Sequence, residues 1–274
     1  MITEYQRPQT LEEALKLLSA PNTRPLGGGT VLTHPGDESF AVVDLQALGL
    51  DKLHKSGNNL EIGATLTLQT LLESPHTPAA LKAAIKLDAP LNLRNMRTVA
   101  GALVTCDGRS PFAAVMLALD AKLEIRNTMF ENRETGGESR ITTNDSQITS
   151  IGDFLPLRPA GQLITSITIP LNTKLTFETV ARSLADKPIV CAALAQWPSG
   201  RTRLVIGGWG KAPTLAMDGN EASAVDASTS SAQAAARNAA HDAADEWASS
   251  EYRMDIATVL AKRCLDKILR DKIE

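Results

Sequence analysis

Arg24-Pro25-Leu26-Gly27-Gly28-Gly29-Thr30-Val31-Leu32 is the stretch that decides the fold, because its three consecutive glycines have no side chains to bury. Glycine lets the backbone take positive φ and approach a ligand or another segment closely. Such a loop can direct several backbone N–H groups at an anion. A plain tight turn explains the glycines almost as well, since the loop matches neither the spaced-glycine dinucleotide fingerprint nor the lysine-containing phosphate loop. A cofactor site therefore requires a second, matching element.

That second element is a run of basic and small residues further along the chain. Arg94-Asn95 is followed by Thr98-Val99-Ala100-Gly101-Ala102, where small side chains let the backbone approach a ligand. Arg94 and Arg97 have the charge to neutralise a phosphate. The alternative is a surface turn with solvated arginines, and the residues alone do not decide between the two.

Composition excludes several classes of partner. The 274 residues are 43% hydrophobic and 22% charged, which is ordinary for a globular chain of two packed units. A net charge of -3 argues against nucleic acid as a partner. No apolar run reaches the ~18 residues of a membrane span, and the first residues lack the features of a signal peptide. We therefore expect a cytoplasmic protein.

The metal-ligating residues are few and scattered. Three cysteines stand far apart at positions 106, 191 and 264, which predicts free thiols in a reducing compartment. They are too few for the four thiolates of an iron–sulfur cluster. The four histidines show no metal-ligand spacing, so the sequence predicts no metal site.

Hydrophobic periodicity predicts an alternation of helices and strands. Helices are expected at residues 10–19, 67–72, 78–87, 111–119, 230–248 and 255–269, and strands at 42–45, 60–64, 121–125, 163–170, 177–181 and 203–207. The period of residues 189–194 fits either element. Residues 127–150 are interpreted as a mobile excursion with a β-hairpin at Gly136-Gly137, and residues 214–227 as a loose stretch.

With the two loops in this order, the chain resembles the FAD-binding medium subunit of the molybdenum hydroxylases, of the aerobic carbon monoxide dehydrogenase and xanthine dehydrogenase types. No single motif is decisive, but the colinear set covers nearly the whole chain. Besides the two loops, the matching segments are Val42-Val43-Asp44-Leu45, Leu60-Glu61-Ile62-Gly63-Ala64-Thr65, Leu117-Ala118-Leu119-Asp120-Ala121, Leu163-Ile164-Thr165-Ser166-Ile167-Thr168-Ile169-Pro170 and Glu251-Tyr252-Arg253.

The resemblance implies an α+β fold of two domains. Residues 1–170 would form a two-subdomain FAD-binding (PCMH-type) domain, with subdomains at about 1–55 and 56–170. Residues 171–274 would form a smaller α+β domain of the carbon monoxide dehydrogenase flavoprotein type, with a short antiparallel sheet and helices.

The resemblance also implies the function and its partners. FAD would take electrons from iron–sulfur centres on another subunit, in a complex with a molybdopterin-containing large subunit and a (2Fe–2S) small subunit; a homo-oligomer is also left open. Both glycine loops would hold the FAD diphosphate mainly through backbone N–H groups. The implied cofactor-binding residues are Leu26, Gly27, Gly28, Gly29, Thr30, Val31, Arg94, Asn95, Thr98, Val99, Ala100, Gly101, Ala102, Asp107 and Asp186.

Departures from the family pattern cluster near the second loop. Ala100-Gly101-Ala102 stands where the family has Gly-Gly-Asn, and Ser110-Pro111 where it often has Ser-Asp. The segment between Phe154 and Leu163 is shorter than usual. Asp107 and Arg109 could supply substitute contacts or be solvated charges, and Asp186 could touch the flavin ring or lie in a surface turn.

Two other functions follow from these departures and from the fold. A relative that has lost FAD could serve as a structural or assembly subunit. A stand-alone flavin oxidase of the vanillyl-alcohol type is disfavoured, because no His or Cys stands in a pattern for covalent flavin attachment. No catalytic residue can be named.

Overall fold

The computed structural model describes residues 1–34, 36–128, 146–183, 186–220 and 225–270, with the backbone alone at residues 220 and 225–230. The chain begins with a small parallel sheet of order β1-β3-β2, covered by one helix. Its elements are β1 (Ile2–Gln6), α1 (Leu11–Leu18), β2 (Thr23–Leu26) and β3 (Phe40–Asp44). Thr10 begins α1 by accepting a hydrogen bond from the Glu13 amide at 3.2 Å, as its position before two acidic residues predicts. The first glycine loop follows directly from β2.

A five-stranded antiparallel sheet and several short helices follow. In chain order the elements are β4 (Leu53–Ser56), β5 (Asn59–Gly63), α2 (Leu68–Glu73), α3 (Ala79–Asp88), α4 (Leu91–Arg94), α5 (Val99–Val104), α6 (Pro111–Ala118), β6 (Lys122–Asn127), β7 (Ser146–Ser150), α7 (Ile151–Leu157) and β8 (Gln162–Pro170). The sheet order is β4-β5-β8-β6-β7. Hydroxyl side chains at Thr67, Thr98 and Ser110 begin α2, α5 and α6, because each accepts a hydrogen bond from a first-turn amide.

The remaining residues form an antiparallel four-stranded sheet with two helices. The elements are β9 (Lys174–Val180), β10 (Val190–Gln196), β11 (Arg201–Gly207), β12 (Thr214–Asn220), α8 (Val225–Ala239) and α9 (Ser250–Arg270). The sheet order is β12-β11-β10-β9. One face of β10 and β11 packs on α8 and α9, with Ala192, Leu194, Leu204 and Ile206 buried there.

The other face of the same two strands packs on α6. All eight residues of α6 are buried, so the helix has no polar side. Cys191, Ala193, Ala195 and Val205 point toward it and belong to the core that also contains β5, β6 and β8. This shared core explains why the α6 sequence is apolar all round rather than amphipathic.

Most predicted elements are present, and the differences have local causes. Residues 189–194 lie in a strand, β10. The loose stretch predicted at residues 214–227 is wrong for Thr214–Asn220, which pair with β11 as an edge strand. The helix predicted at 230–248 begins at Val225 and ends at Ala239. β7 lies at the end of the excursion predicted at residues 127–150. The β-hairpin predicted at Gly136-Gly137 lies outside the described residues.

Within the described residues, no helix is long and apolar enough to cross a bilayer. All three cysteines are buried free thiols. Burial raises the pKa of Cys106 to about 11 and those of Cys191 and Cys264 to about 12, so the three thiols stay protonated at neutral pH.

Candidate functional site: a cleft between two small-residue loops

The two small-residue loops meet in space. A Cβ atom built on Gly28 would lie 1.6 Å from the carbonyl oxygen of Met96, in the segment leading to the second loop. A Cβ on Gly27 would lie 2.9 Å from Oγ1 of Thr98. Real Cβ contacts are essentially never under 3.0 Å, so only glycine permits the approach at Gly28. The absence of a side chain at Gly27 and Gly28 therefore allows the two loops to pack against each other.

The first loop carries a run of unused backbone donors. None of the described residues accepts a hydrogen bond from the amides of residues 27–32. The loop carbonyls of Gly29 and Val31 accept from the amides of Thr33 and His34 at 3.3 and 3.1 Å, which closes the turn. Gly29 has φ of 70°, the left-handed conformation that forms anion-binding nests in loops of this kind.

The second loop differs, because its amides are already used inside the protein. The amides of Val99 and Ala100 donate to the carbonyls of Leu66 and Ala64, at 2.8 and 3.1 Å. The amide of Gly101 donates to Oγ1 of Thr98 at 3.2 Å. The amide of Ala102 donates to the Thr98 carbonyl at 2.8 Å. The expectation that both loops offer backbone donors is therefore wrong for residues 99–102, which begin helix α5.

Two cavities flank the junction of the loops and share a wall. One is largely apolar and has a volume of about 280 Å³; it extends from the first loop to Val104, Thr105 and the start of β8. The other has a volume of about 520 Å³ and is more polar. Gly27, Gly28, Thr65 and Thr98 line both. A ligand with two different halves joined by an anionic bridge fits this arrangement.

The two arginines predicted to neutralise phosphate are used elsewhere. Arg94 donates to Oε1 of Gln69 at 3.0 Å and to the carbonyl of Ala89 at 2.8 Å. Arg97 pairs at 3.1 Å with the carboxylate of Asp88, whose side chain is 2% exposed. Neither arginine lines either of these two cavities. Both arginines are thus engaged by acceptors of the protein itself, which favours neither the interpretation as phosphate ligands nor the alternative of solvated charges.

Comparison with known proteins decides the family. Residues 1–172 match the model of the FAD-binding domain in molybdopterin dehydrogenase. The chain belongs to that family. It is 31% identical over 214 residues to the Escherichia coli K12 protein YgfM, covering 76% of this chain and 75% of that one. It is 27% identical over 229 residues to the glyceraldehyde dehydrogenase medium chain of Sulfolobus acidocaldarius, covering 78% of each chain.

The fold is shared with solved structures over nearly the whole length. Reconstituted CO dehydrogenase from Oligotropha carboxidovorans contains a chain that superimposes with a TM-score of 0.73 at 24% identity, covering 96% of both chains. The predictions of the family, of the α+β fold, of an oxidoreductase flavoprotein subunit and of FAD as the cofactor are confirmed at the level of the family.

The predicted cofactor-binding residues divide into two groups. Those that line a cavity are Gly27, Gly28, Gly29, Thr30, Val31, Asn95, Thr98, Ala100 and Gly101. Those that do not are Leu26, Arg94, Val99, Ala102, Asp107 and Asp186. Lining residues outside the predicted cofactor-binding set include Arg7, Gln46, Asp51, Thr65 and Gln162. Recognising β1 as a strand parallel to β3 would have placed Arg7 beside Gln46, since both follow the ends of paired strands.

Asp107 and Arg109, near the second loop, contact the C-terminal part of the chain. Asp107 accepts from Nζ of Lys187 at 2.6 Å. Arg109 donates to the carbonyls of Pro188 and Lys187 at 3.0 and 2.8 Å and stacks on Trp247 at 4.4 Å. Asp107 and Arg109 are therefore engaged in contacts within the protein, rather than being placed as substitute cofactor ligands or as simple solvated charges. Asp186 lies exposed in the neighbouring turn, with its amide bonded to the Ser183 carbonyl.

The buried carboxylate of Asp88 lies at the start of α6, beside the Ser110-Pro111 pair. Ser110 donates to Oδ1 of Asp88 at 2.5 Å, and the same oxygen lies 3.4 Å from the Phe112 amide. Asp88 therefore supplies negative charge at the start of α6, where Pro111 has none. Since Asp88 also pairs with Arg97, this carboxylate organises the second loop rather than contacting a ligand.

Proposed function

We propose that the cleft between the two loops binds FAD, with the diphosphate at their junction and one half of the cofactor in each cavity. The run of unpaired amides at residues 27–32 is the observation that carries the proposal, because a diphosphate offers the acceptors that these donors lack. Thr98 lines both cavities and can add its hydroxyl as a donor, since its oxygen already accepts from Gly101.

The chemistry of each cavity assigns its half of the cofactor. The smaller cavity is walled by Pro25, Leu45, Leu163 and neighbouring apolar residues, which suits the flavin ring. The larger cavity contains Arg7, Asp51, Gln46 and Asn95, which suit the hydroxyls, the phosphate and the base edge of the AMP half. FAD supplies the redox chemistry when bound. This chain contributes binding, orientation and the electrostatic environment of the ring.

We further propose that the chain works as the medium subunit of a complex. A molybdopterin-containing subunit would oxidise the substrate, and an iron–sulfur subunit would deliver the electrons to this chain. Among the described residues, no group of three His, Cys, Asp or Glu side chains is placed to hold a metal ion. Relatives named as a medium chain and a medium subunit support such an assembly.

The test is a titration of the purified chain with FAD, followed by flavin absorbance and fluorescence. The matched variants are Val31→Asp and Leu91→Asp, at positions 45% and 56% exposed. Val31 lines the apolar cavity, so a carboxylate there would repel the diphosphate and weaken FAD binding. Leu91 lines neither cavity and should leave affinity unchanged.

The result would separate FAD binding from its main alternative. A flavin band that persists through gel filtration, and is lost only in Val31→Asp, supports the proposal. No affinity at high micromolar FAD would leave a structural or assembly role without FAD. Co-expression with candidate large and iron–sulfur subunits tests the complex, with bleaching of the flavin band on reduction of the cluster as the readout.

A further inference from the structure

A diphosphate bound at the loop junction brings negative charge that neutral amides only partly offset. Among the described residues that line the two cavities, Arg7 and Arg24 are the cationic ones. Any direct neutralisation by this chain's lining residues must come from one of these two.

Arg24 is already engaged on the surface. Its guanidinium forms an ion pair with the carboxylate of Glu38. It also lies over the ring of Phe40, with Cζ 4.2 Å from the centroid. Recruiting Arg24 to a ligand would break both contacts.

Arg7 is the less committed of the two. It follows the end of β1 and lines the larger, polar cavity, with its side chain 53% exposed. Its Nε lies 3.8 Å from Oδ2 of Asp44, too far for a hydrogen bond. No described residue accepts a hydrogen bond from its guanidinium, so the Nη groups remain available to a ligand in that cavity.

Asp44 has the geometry to orient Arg7 without neutralising it fully. Its side chain is 5% exposed, and Oδ1 accepts from the Gln46 amide at 2.9 Å. Its Oδ2 accepts from the hydroxyl of Tyr5. A carboxylate satisfied in this way offers Arg7 attraction at a distance but no close bidentate partner, which leaves the guanidinium fork free for a phosphate.

We infer that Arg7 binds the phosphate on the AMP side of FAD and so makes this chain select FAD over FMN. This inference rests on the proposed FAD site and adds a residue that discriminates between the two flavins. Asp51 and Asn95 line the same cavity and are the polar partners for the ribose and the base of that half. FMN has no AMP half and therefore gains nothing from Arg7.

The test compares Arg7→Gln with Arg237→Gln, titrating each and the parent with FAD, FMN and ADP. Arg237 is a half-exposed arginine that pairs with Asp255 at 2.6 Å and lines neither cavity. Loss of a charge-assisted phosphate contact at a half-exposed site should raise the Kd for FAD about tenfold. ADP, measured by competition, should weaken by the same factor in Arg7→Gln. The FMN affinity of Arg7→Gln and all affinities of Arg237→Gln should match the parent. Arg7→Lys should recover part of the loss.

Salt dependence gives a second readout that a structural role would not change. The Kd of the parent for FAD should rise with potassium chloride concentration, and that of Arg7→Gln should rise less steeply. Equal FAD affinity in the parent and Arg7→Gln would overturn the inference. So would an equal loss for FAD and FMN, or a lowered urea midpoint that accounts for the change. A parent that binds neither FAD nor ADP would instead refute the proposed site itself.

Discussion

Gly28→Ala offers the sharpest test of how the two loops are joined. The added Cβ would lie 1.6 Å from the Met96 carbonyl oxygen and 2.5 Å from its carbon. The oxygen would have to retreat by about 1.4 Å, the difference between 1.6 Å and the 3.0 Å below which real Cβ contacts are essentially never found. Both atoms belong to backbone, so no side-chain rotation relieves the overlap. Forcing such a contact costs about 1–3 kcal/mol.

Gly29→Ala is the matched control, one residue away in the same loop. Its nearest neighbours, in Thr33 and Leu26, lie 3.5 and 3.6 Å from the new Cβ, which is ordinary van der Waals contact. Only the φ of 70° penalises alanine there, by about 1 kcal/mol. We therefore expect Gly28→Ala to lose more stability and at least tenfold in FAD affinity. Gly29→Ala should keep its affinity within a few-fold.

Urea denaturation and FAD titration of both variants measure these two effects. If Gly28→Ala matched the parent in urea midpoint and in affinity, the close approach of the two loops described above would be incorrect. If Gly29→Ala were the more damaged variant, backbone conformation rather than the loop contact would govern the site.

Three further outcomes follow from the hydrogen bonds and ion pairs. Asp88→Asn removes one partner of the pair with Arg97 and should lower the free energy of unfolding by about 3 kcal/mol, measured by urea denaturation. Thr98→Ala removes the cap of α5 and should cost about 1 kcal/mol, whereas Thr98→Ser should be nearly neutral in the same assay. A hydrogen bond from Arg201 holds the pKa of Asp218 below its ordinary value of 3.8. That stabilisation is present above pH 3.8 and is lost as pH falls further, so Asp218→Asn should flatten the acid limb of a stability–pH profile.

The sequence predicted the first loop and most of the regular elements, because those depend on local patterns. Thr10 before two glutamates and the alternation in residues 163–170 each specify an element without reference to the rest of the chain. The elements that were not predicted include β1, β2, β4, β12, α4, α5 and α7. For β1 and β12 the reason is the lack of such a local pattern. Residues Thr3, Glu4 and Tyr5 of β1 are exposed, and β12 is an edge strand, so neither has a strong apolar period.

The candidate site was predicted only in part, because the rest depends on contacts between segments that are distant in sequence. That small residues at 27–29 and 98–101 come together could be expected from glycine chemistry and the resemblance. The hydrogen bonds from the amides of Val99 and Ala100 to the carbonyls of Leu66 and Ala64 could not be predicted. They depend on which carbonyls lie opposite these amides in the folded chain. The engagement of Arg94 and the availability of Arg7 are likewise decided by neighbours distant in sequence.

The wholly apolar helix α6 has a consequence for how the polypeptide can be divided. A fragment ending at residue 170 would lack β10 and β11, and would leave one side of α6 facing water. Such a fragment should aggregate or require a chaperone even though it contains both loops. We therefore expect the part of the chain that carries both loops to depend on β10 and β11 for its solubility, and a cut at residue 170 to be a poor point for recombination or for transfer to another scaffold.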